Sequence, residues 1–283
     1  MPSKNRFPVR GYVGIVLVAV FWYLNWNLSG LRTHWGFFPL WLGYCLTIDA
    51  ITYYKKGNSL VSRNLKGYIS LFLVSAPSWW LFELLNKPGN YWFYTAREHF
   101  SDLEYFLLAS ISFSTVIPAV FGTSEWVGTF SKIQNMPAWL KIGSKRYEVV
   151  LFFILGVLML FVVLFLPDYG APFLWMSVFL IIDPLKVMLG NRSILKETGN
   201  GNWKPVITLW AGCLICGFFW EMWNYHSNPK WIYDVPGVNF WHIFEMPAPG
   251  YLGYLPFSLE LFALYHFITG IFKQNKLTNY LRL

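Results

Sequence analysis

The sequence predicts an all-α, polytopic membrane protein of about eight transmembrane helices, built as two parallel four-helix repeats. Three observations point to this class. Of 283 residues, 55% are hydrophobic and only 13% are charged, against about 25% charged in a soluble domain. The apolar residues gather into stretches near the roughly 20 residues that cross a bilayer. The basic residues fall in alternate gaps between those stretches, as the positive-inside rule requires. The net charge of +8 therefore reads as basic cytoplasmic loops and not as a nucleic-acid surface.

Taken in order, the spans are 12–28, 36–54, 67–86, 104–123, 149–166, 172–189, 205–224 and 252–272. The first follows the positive start "MPSKNRFPVR". Trp22, Tyr23 and Trp26 stand where a small-x-small cleavage site would lie, so it reads as a retained helix rather than a cleaved signal. The fifth, "VVLFFILGVLMLFVVLFL", is the most uniformly apolar. The second, third, sixth and seventh carry acids or prolines, so they should face other helices. If residues 1–11 are cytoplasmic, the inside segments hold 18 of the 22 basic residues, among them Lys4, Lys273 and Lys276. Only Arg32, Lys87, Arg97 and Lys230 are left outside. Both termini are then cytoplasmic.

The two halves repeat one pattern. "LWLGYCLTID" at 40–49 parallels "LWMSVFLIID" at 174–183, ending on Asp49 and Asp183. "GNSLV" at 57–61 parallels "GNRSIL" at 190–195. Glu83-x-x-Asn86 and Trp92-Phe93-Tyr94 then parallel Glu221-x-x-Asn224 and Trp231-Ile232-Tyr233. A proline helix closes each half, with Pro118 and Glu125 in one and Pro256 and Glu260 in the other. The units expected are 1–145 and 146–283. Four spans per unit keep both copies in one orientation, related by an axis along the membrane normal.

Residues three apart share a helix face. Each Glu–Asn pair should therefore point one way, at the outer end of its span, and face a cavity between the halves. Asn86 and Asn224 are expected to orient the carboxylates. Trp79, Trp80, Trp220, Trp223 and Trp231 cluster around the two acids, and Trp92, Tyr94 and Tyr233 follow them. Such rings also belong to ordinary membrane interfaces, where Glu83 and Glu221 would simply be hydrogen-bonded interfacial acids. Glu260 lies deeper, with apolar residues on both sides. A carboxylic acid held neutral in a dry aromatic pocket is a competent proton donor. Asp49 and Asp183 precede basic loops, and ion pairs with Lys55, Lys56, Lys186 or Arg192 are the expected role. The segment 225–251 reads as a lid over the external mouth.

Other chemistry finds little support. Cys45, Cys213 and Cys216 all lie in apolar runs. Cys213-x-x-Cys216 reads as small residues easing helix packing, with no second pair to complete a redox or metal motif. His226, Asp234, His242 and Glu245 share the long external loop but not metal-ligand spacing. No cofactor is expected.

The string from Glu221-x-x-Asn224 through Trp231-x-Tyr233 and Phe244-Glu245-Met246-Pro247 to "GYLGYLPFSLELF" at 250–262 resembles small membrane carotenoid-modifying proteins. One such group is the lycopene cyclase domain family, and the other the membrane carotenoid hydratases. The likeness spans residues 213–262 and is fainter in the first half. The proline, one acid and a phenylalanine of the cyclase motif are kept, while Leu259 stands beside Glu260 in place of a doubled acid. The resemblance implies cofactor-free acid chemistry on a hydrophobic isoprenoid, with Glu221, Glu260 and Glu83 as catalytic residues. Asn86, Asn224, Trp80, Trp220, Trp223, Trp231, Tyr233, Trp92 and Tyr94 are then the substrate-binding candidates. The expected partners are membrane lipid and a hydrophobic small molecule, with no nucleic acid. A transporter or lipid carrier that uses the acids as a proton relay is the rival reading. A structural subunit whose acids only fix helix packing is the third.

Overall fold

The computed structural model describes residues 5–143, 145–271 and 280–283; Lys4, Lys273 and Lys276 lie outside them. The chain is mostly helical. Its helices are α1 (Val9–Asn27), α2 (Thr33–Lys56), α3 (Leu60–Arg63), α4 (Leu65–Asn86), α5 (Asp102–Phe113), α6 (Val116–Val127), α7 (Ser131–Gln134), α8 (Arg146–Phe165), α9 (Pro167–Met188), α10 (Ile194–Gly199), α11 (Lys204–Tyr225) and α12 (Tyr254–Ile271). Strands β1 (Trp92–Tyr94) and β2 (Trp231–Tyr233) pair antiparallel, as do β3 (His242–Ile243) and β4 (Met246–Pro247).

Among the described residues, seven helical segments are long and apolar enough to cross a membrane. They match seven of the eight expected spans. The exception is α2, which has the length, at 24 residues, but not the hydropathy. Its composition has a physical reason. Leu40, Trp41 and Ala50 are fully buried and Asp49 nearly so, because α2 lies among α1, α5 and α6. A helix wrapped in protein is free to carry Thr, Tyr, His and Asp that lipid would not accept. Helix α8 is the opposite case. Leu151, Ile154, Leu158, Phe161 and Phe165 are exposed along it, an apolar face suited to hydrocarbon.

The packing repeats with the halves exchanged. Helix α6 lies against α2, α4 and α11, and α12 lies against α9, α11 and α4. The hairpins α1–α2 and α8–α9 pack most extensively. Both depend on glycine. A Cβ on Gly43 would stand 2.8 Å from the carbonyl oxygen of Gly14, and one on Gly156 would stand 2.8 Å from the backbone of Leu180. The backbones touch there, as small residues allow in membrane helix pairs.

Helices α5 and α6 occupy the fourth span, which is broken at Ser114–Thr115. The break frees backbone groups that must find partners. The Ser75 hydroxyl serves both sides, donating to the Phe113 carbonyl at 2.6 Å and accepting from the Ile117 N–H at 3.1 Å.

The paired aspartates are structural. Asp49 accepts from the Val61 N–H at 3.0 Å and the Ser59 hydroxyl at 3.0 Å. Asp183 accepts from the Ile194 and Leu195 N–H groups at 3.0 and 2.8 Å. Each thus satisfies the exposed donors at the start of a short helix, α3 or α10. Lys186 pairs with Asp183 at 3.1 Å, as expected, but the partner of Asp49 is Arg10, at 2.7 Å, and not Lys55 or Lys56. Lys56 and Arg63 turn instead to Glu125, at 3.5 and 2.8 Å.

Replacing Gly43 by Val should force α1 off α2 and cost about 1–3 kcal/mol, the range for overpacking a filled site. Thermal unfolding of the detergent-solubilised protein checks this, with Gly36→Ala on the same helix, where a Cβ would find its nearest neighbour, the Phe21 ring, at 4.0 Å, as the comparison.

Candidate functional site

A W-x-Y segment in extended conformation puts its first and third side chains on one face. Pairing two such segments antiparallel doubles the effect. The register sets Trp92 opposite Tyr233 and Tyr94 opposite Trp231, around the central Phe93–Ile232 pair. Residues directly opposite share a face. All four rings therefore lie on one side of the ribbon, and all four line a cavity of about 510 Å³. Phe93, on the other side, is exposed.

Each strand is fastened to the helix before it by an asparagine. The Asn86 amide donates to the Trp92 carbonyl at 2.7 Å and accepts from its N–H at 3.4 Å. Asn224 does the same to Trp231, at 2.7 and 3.0 Å. The expectation that these asparagines orient the carboxylates is corrected here: they hold backbone, and neither is bonded to a glutamate. The ribbon they hold supplies the tyrosines that do the orienting.

Glu221 is fully buried and lines the cavity. Its Oε1 accepts from the Tyr233 hydroxyl at 2.8 Å and the Tyr254 hydroxyl at 2.6 Å. Its Oε2 is buried with no hydrogen-bond partner among the described residues. The Trp231 indole N–H faces the same carboxyl without reaching hydrogen-bond geometry. Glu83 is held differently. Its Oε1 accepts three bonds, from Trp79 at 2.8 Å, Trp92 at 3.0 Å and Tyr94 at 2.6 Å. Those three side chains line the cavity, while Glu83 stands behind them. Burial, reinforced by the neighbouring glutamate, pushes the hydroxyls of Tyr94 and Tyr233 well above the usual tyrosine range. Both are thus kept as O–H donors.

The halves diverge four residues before each glutamate. Trp79 occupies that position in α4, and Gly217 in α11. A Cβ on Gly217 would meet the Tyr254 ring at 2.5–2.8 Å. The missing side chain is what admits Tyr254 to Glu221.

The rest of the wall is aromatic. Trp92 and Trp175 stack with centroids 5.5 Å apart. Phe257 touches Trp79, Phe82, Trp175 and Trp220 at centroid distances of 5.0–6.4 Å. The segment 225–251 contributes Trp231, Tyr233, Val235, Met246 and Pro249 to the wall, consistent with a cover over the cavity.

Of the expected site residues, Glu221, Trp220, Trp231, Tyr233, Trp92 and Tyr94 meet at this cavity. Glu83, Asn86 and Asn224 support it from behind. Trp80 donates to the Ser110 hydroxyl at 2.9 Å and stacks on Phe106, away from it. Trp223 is packed between Trp41 and Phe219, also away. Glu260 is fully buried in α12, off the wall, and neither of its oxygens has a hydrogen-bond partner among the described residues. Tyr254, Trp175 and Phe257 are wall residues that sequence reasoning did not single out. The one signal for Tyr254 was the replacement of Trp79 by Gly217. Among the described residues no three His, Cys, Asp or Glu side chains come together as a metal site. His242 bonds Asn239 and Glu245 pairs with Lys230.

The chain matches no family model, no curated protein and no solved structure.

Asn224→Ala leaves the Trp231 N–H and carbonyl without their partner, so it should cost about 1–3 kcal/mol. Faster amide hydrogen exchange across 231–233 and 92–94, with unchanged exchange in α8, is the expected signature.

Proposed function

We propose that the chain is an integral membrane enzyme performing acid-initiated cyclisation, hydration or isomerisation of an isoprenoid-type lipid. One observation carries the reading: a fully buried carboxyl on the wall of an aromatic cavity, with one oxygen doubly hydrogen-bonded and the other bare. A proton on Glu221 sits on that bare Oε2, because Oε1 already accepts two hydroxyls. Once it leaves, the carboxylate keeps two tyrosine O–H donors already in place, so the conjugate base needs no reorganisation. The faces of Trp92, Trp175 and Trp220 attract positive charge developing beside them. The resemblance of residues 213–262 to carotenoid-modifying proteins supports the substrate class. Glu221 is the donor in this reading, and Glu260 is a buried acid without access to the substrate.

The packing of α6 and α12, with partners exchanged between halves, supports two parallel four-helix units over 1–145 and 146–283, with α2 as the eighth, protein-wrapped span. The bias of basic residues supports cytoplasmic termini. A proton-relay carrier draws less support, because Asp49, Asp183 and Glu125 are bound to Arg10, Lys186 and Arg63.

The test is mass spectrometry of lipids that copurify with the wild type, Glu221→Gln and Glu260→Gln. A polyisoprenoid should accumulate unchanged on Glu221→Gln alone, with turnover lowered about 10²–10⁴-fold, the contribution typical of a general acid. The same unmodified lipid on all three would replace the enzyme with a carrier.

A further inference from the structure

The cavity has two ends, and the ribbon defines them. At one end Trp92 lies opposite Tyr233. Trp92 stacks there on Trp175, and Tyr233 donates to Glu221. Roughly 7 Å along the ribbon stands the pair of Tyr94 and Trp231. Tyr94 meets Tyr105 with ring centroids 6.2 Å apart, and the guanidinium of Arg97 lies 4.2 Å over the Tyr105 ring. Arg97 also donates to the Phe100 carbonyl at 2.7 Å, and the Phe100 ring packs on His34. Arg97, Tyr105, Phe100 and His34 all line the cavity.

Charge is unevenly placed on this wall. Among the described residues that line it, Glu221 and Arg97 are the only Asp, Glu, Lys or Arg side chains. The repeat does not supply the cation twice. Arg97 stands five residues after Trp92, and the position five after Trp231 is Pro236, which lines the cavity too. Arg97 follows Ala96, whose φ of +57° lies in the left-handed region that alanine seldom takes. Such a backbone persists where its surroundings impose it, as at ligand sites. Here it turns the chain from β1 toward α5 and lets Arg97 lie back over Tyr105.

Arg97 is not used up by its own neighbours. A guanidinium has five N–H donors, and the Phe100 carbonyl and Asp102 take two. Asp102 is fully exposed, so solvent screens that pair. A segment long and apolar enough to cross a membrane begins at Asp102. Arg97 therefore stands at the level where lipid head groups lie.

We infer that the cavity binds an amphiphile with an anionic head, a carboxylate or a phosphate, held on Arg97, and an apolar chain running along the ribbon toward Trp175. The planar fork of the guanidinium matches either oxyanion. The charges set the direction, since an anion gains at Arg97 and not beside the Glu221 carboxyl. The inference names the head group of the lipid in the reading above, and it rests on that reading only for calling the ligand a substrate. Binding itself needs no reaction at Glu221.

Quenching of tryptophan fluorescence measures this binding in uncharged detergent, because Trp92, Trp175, Trp220 and Trp231 line the cavity. The probes share one chain and differ in the head: farnesoate, farnesyl monophosphate and farnesol. At least one anion should bind about 10- to 100-fold more tightly than farnesol, the range for a hydrogen bond to a charged group. The tighter anion identifies the head as carboxylate or phosphate. Arg97→Gln should abolish the preference and leave farnesol binding unchanged. Asp102→Asn, which removes the competing carboxylate, should strengthen anion binding about 2- to 5-fold. Equal binding of the three probes by the wild type, or binding of none, would overturn the proposal, as would a preference that survives Arg97→Gln. If Arg97→Gln loses farnesol as well, Asp102→Asn decides, and unchanged anion binding there overturns it. The reading above fails separately: an anion preference lost in Arg97→Gln stands even where the copurifying lipid is unmodified on wild type, Glu221→Gln and Glu260→Gln alike.

Discussion

The site depends on a ribbon of six residues. Strands of three residues are too short to be stable alone in water, and these two come from distant parts of the chain. They persist because each is fastened at its first residue by an asparagine at the end of a long helix. The ribbon continues one bond further at each end, from Thr95 to Lys230 and from Asp234 to Tyr91. Removing it would unlace the site at once. Tyr94 and Trp92 would leave Glu83, Tyr233 would leave Glu221, and a wall of the cavity would open.

The two strands of the ribbon are built alike and serve unlike neighbours. The same W-x-Y face and the same asparagine clasp occur in both strands. The two glutamates accept from equivalent ribbon tyrosines. They differ because α4 supplies Trp79 where α11 has Gly217. A tryptophan on one side completes a triply bonded oxygen. A glycine on the other lets Tyr254 approach from α12 and leaves the second oxygen bare. A symmetric scaffold thus holds two chemically unequal acids.

Much of this was legible in the sequence because it follows from local rules. Seven of the spans appear where hydropathy puts them. The repeats around Asp49 and Asp183, and around the Glu–Asn pairs, fall at equivalent places because each makes equivalent local bonds. What was not legible depends on the partner across space. Asp49 is bound by Arg10, 39 residues away, not by the lysines adjacent in sequence. The role of Asn86 and Asn224 was misread for a similar reason. Helical spacing says which way a side chain points but not that a strand six or seven residues later will return to meet it. Glu260 is as deep as the sequence suggests, but it is not among the residues that line the cavity. Only the tertiary packing decides that.

The glycine seams have a consequence for traffic. Where Gly14 meets Gly43, and where Gly156 meets Leu180, backbone touches backbone and leaves no width for an acyl or isoprenoid chain. Those two hairpins form closed flanks of the molecule. A hydrophobic molecule would find no way between the helices of either hairpin, and any sideways opening to the cavity would have to lie at a seam filled by side chains, which can change rotamer where touching backbones cannot move apart.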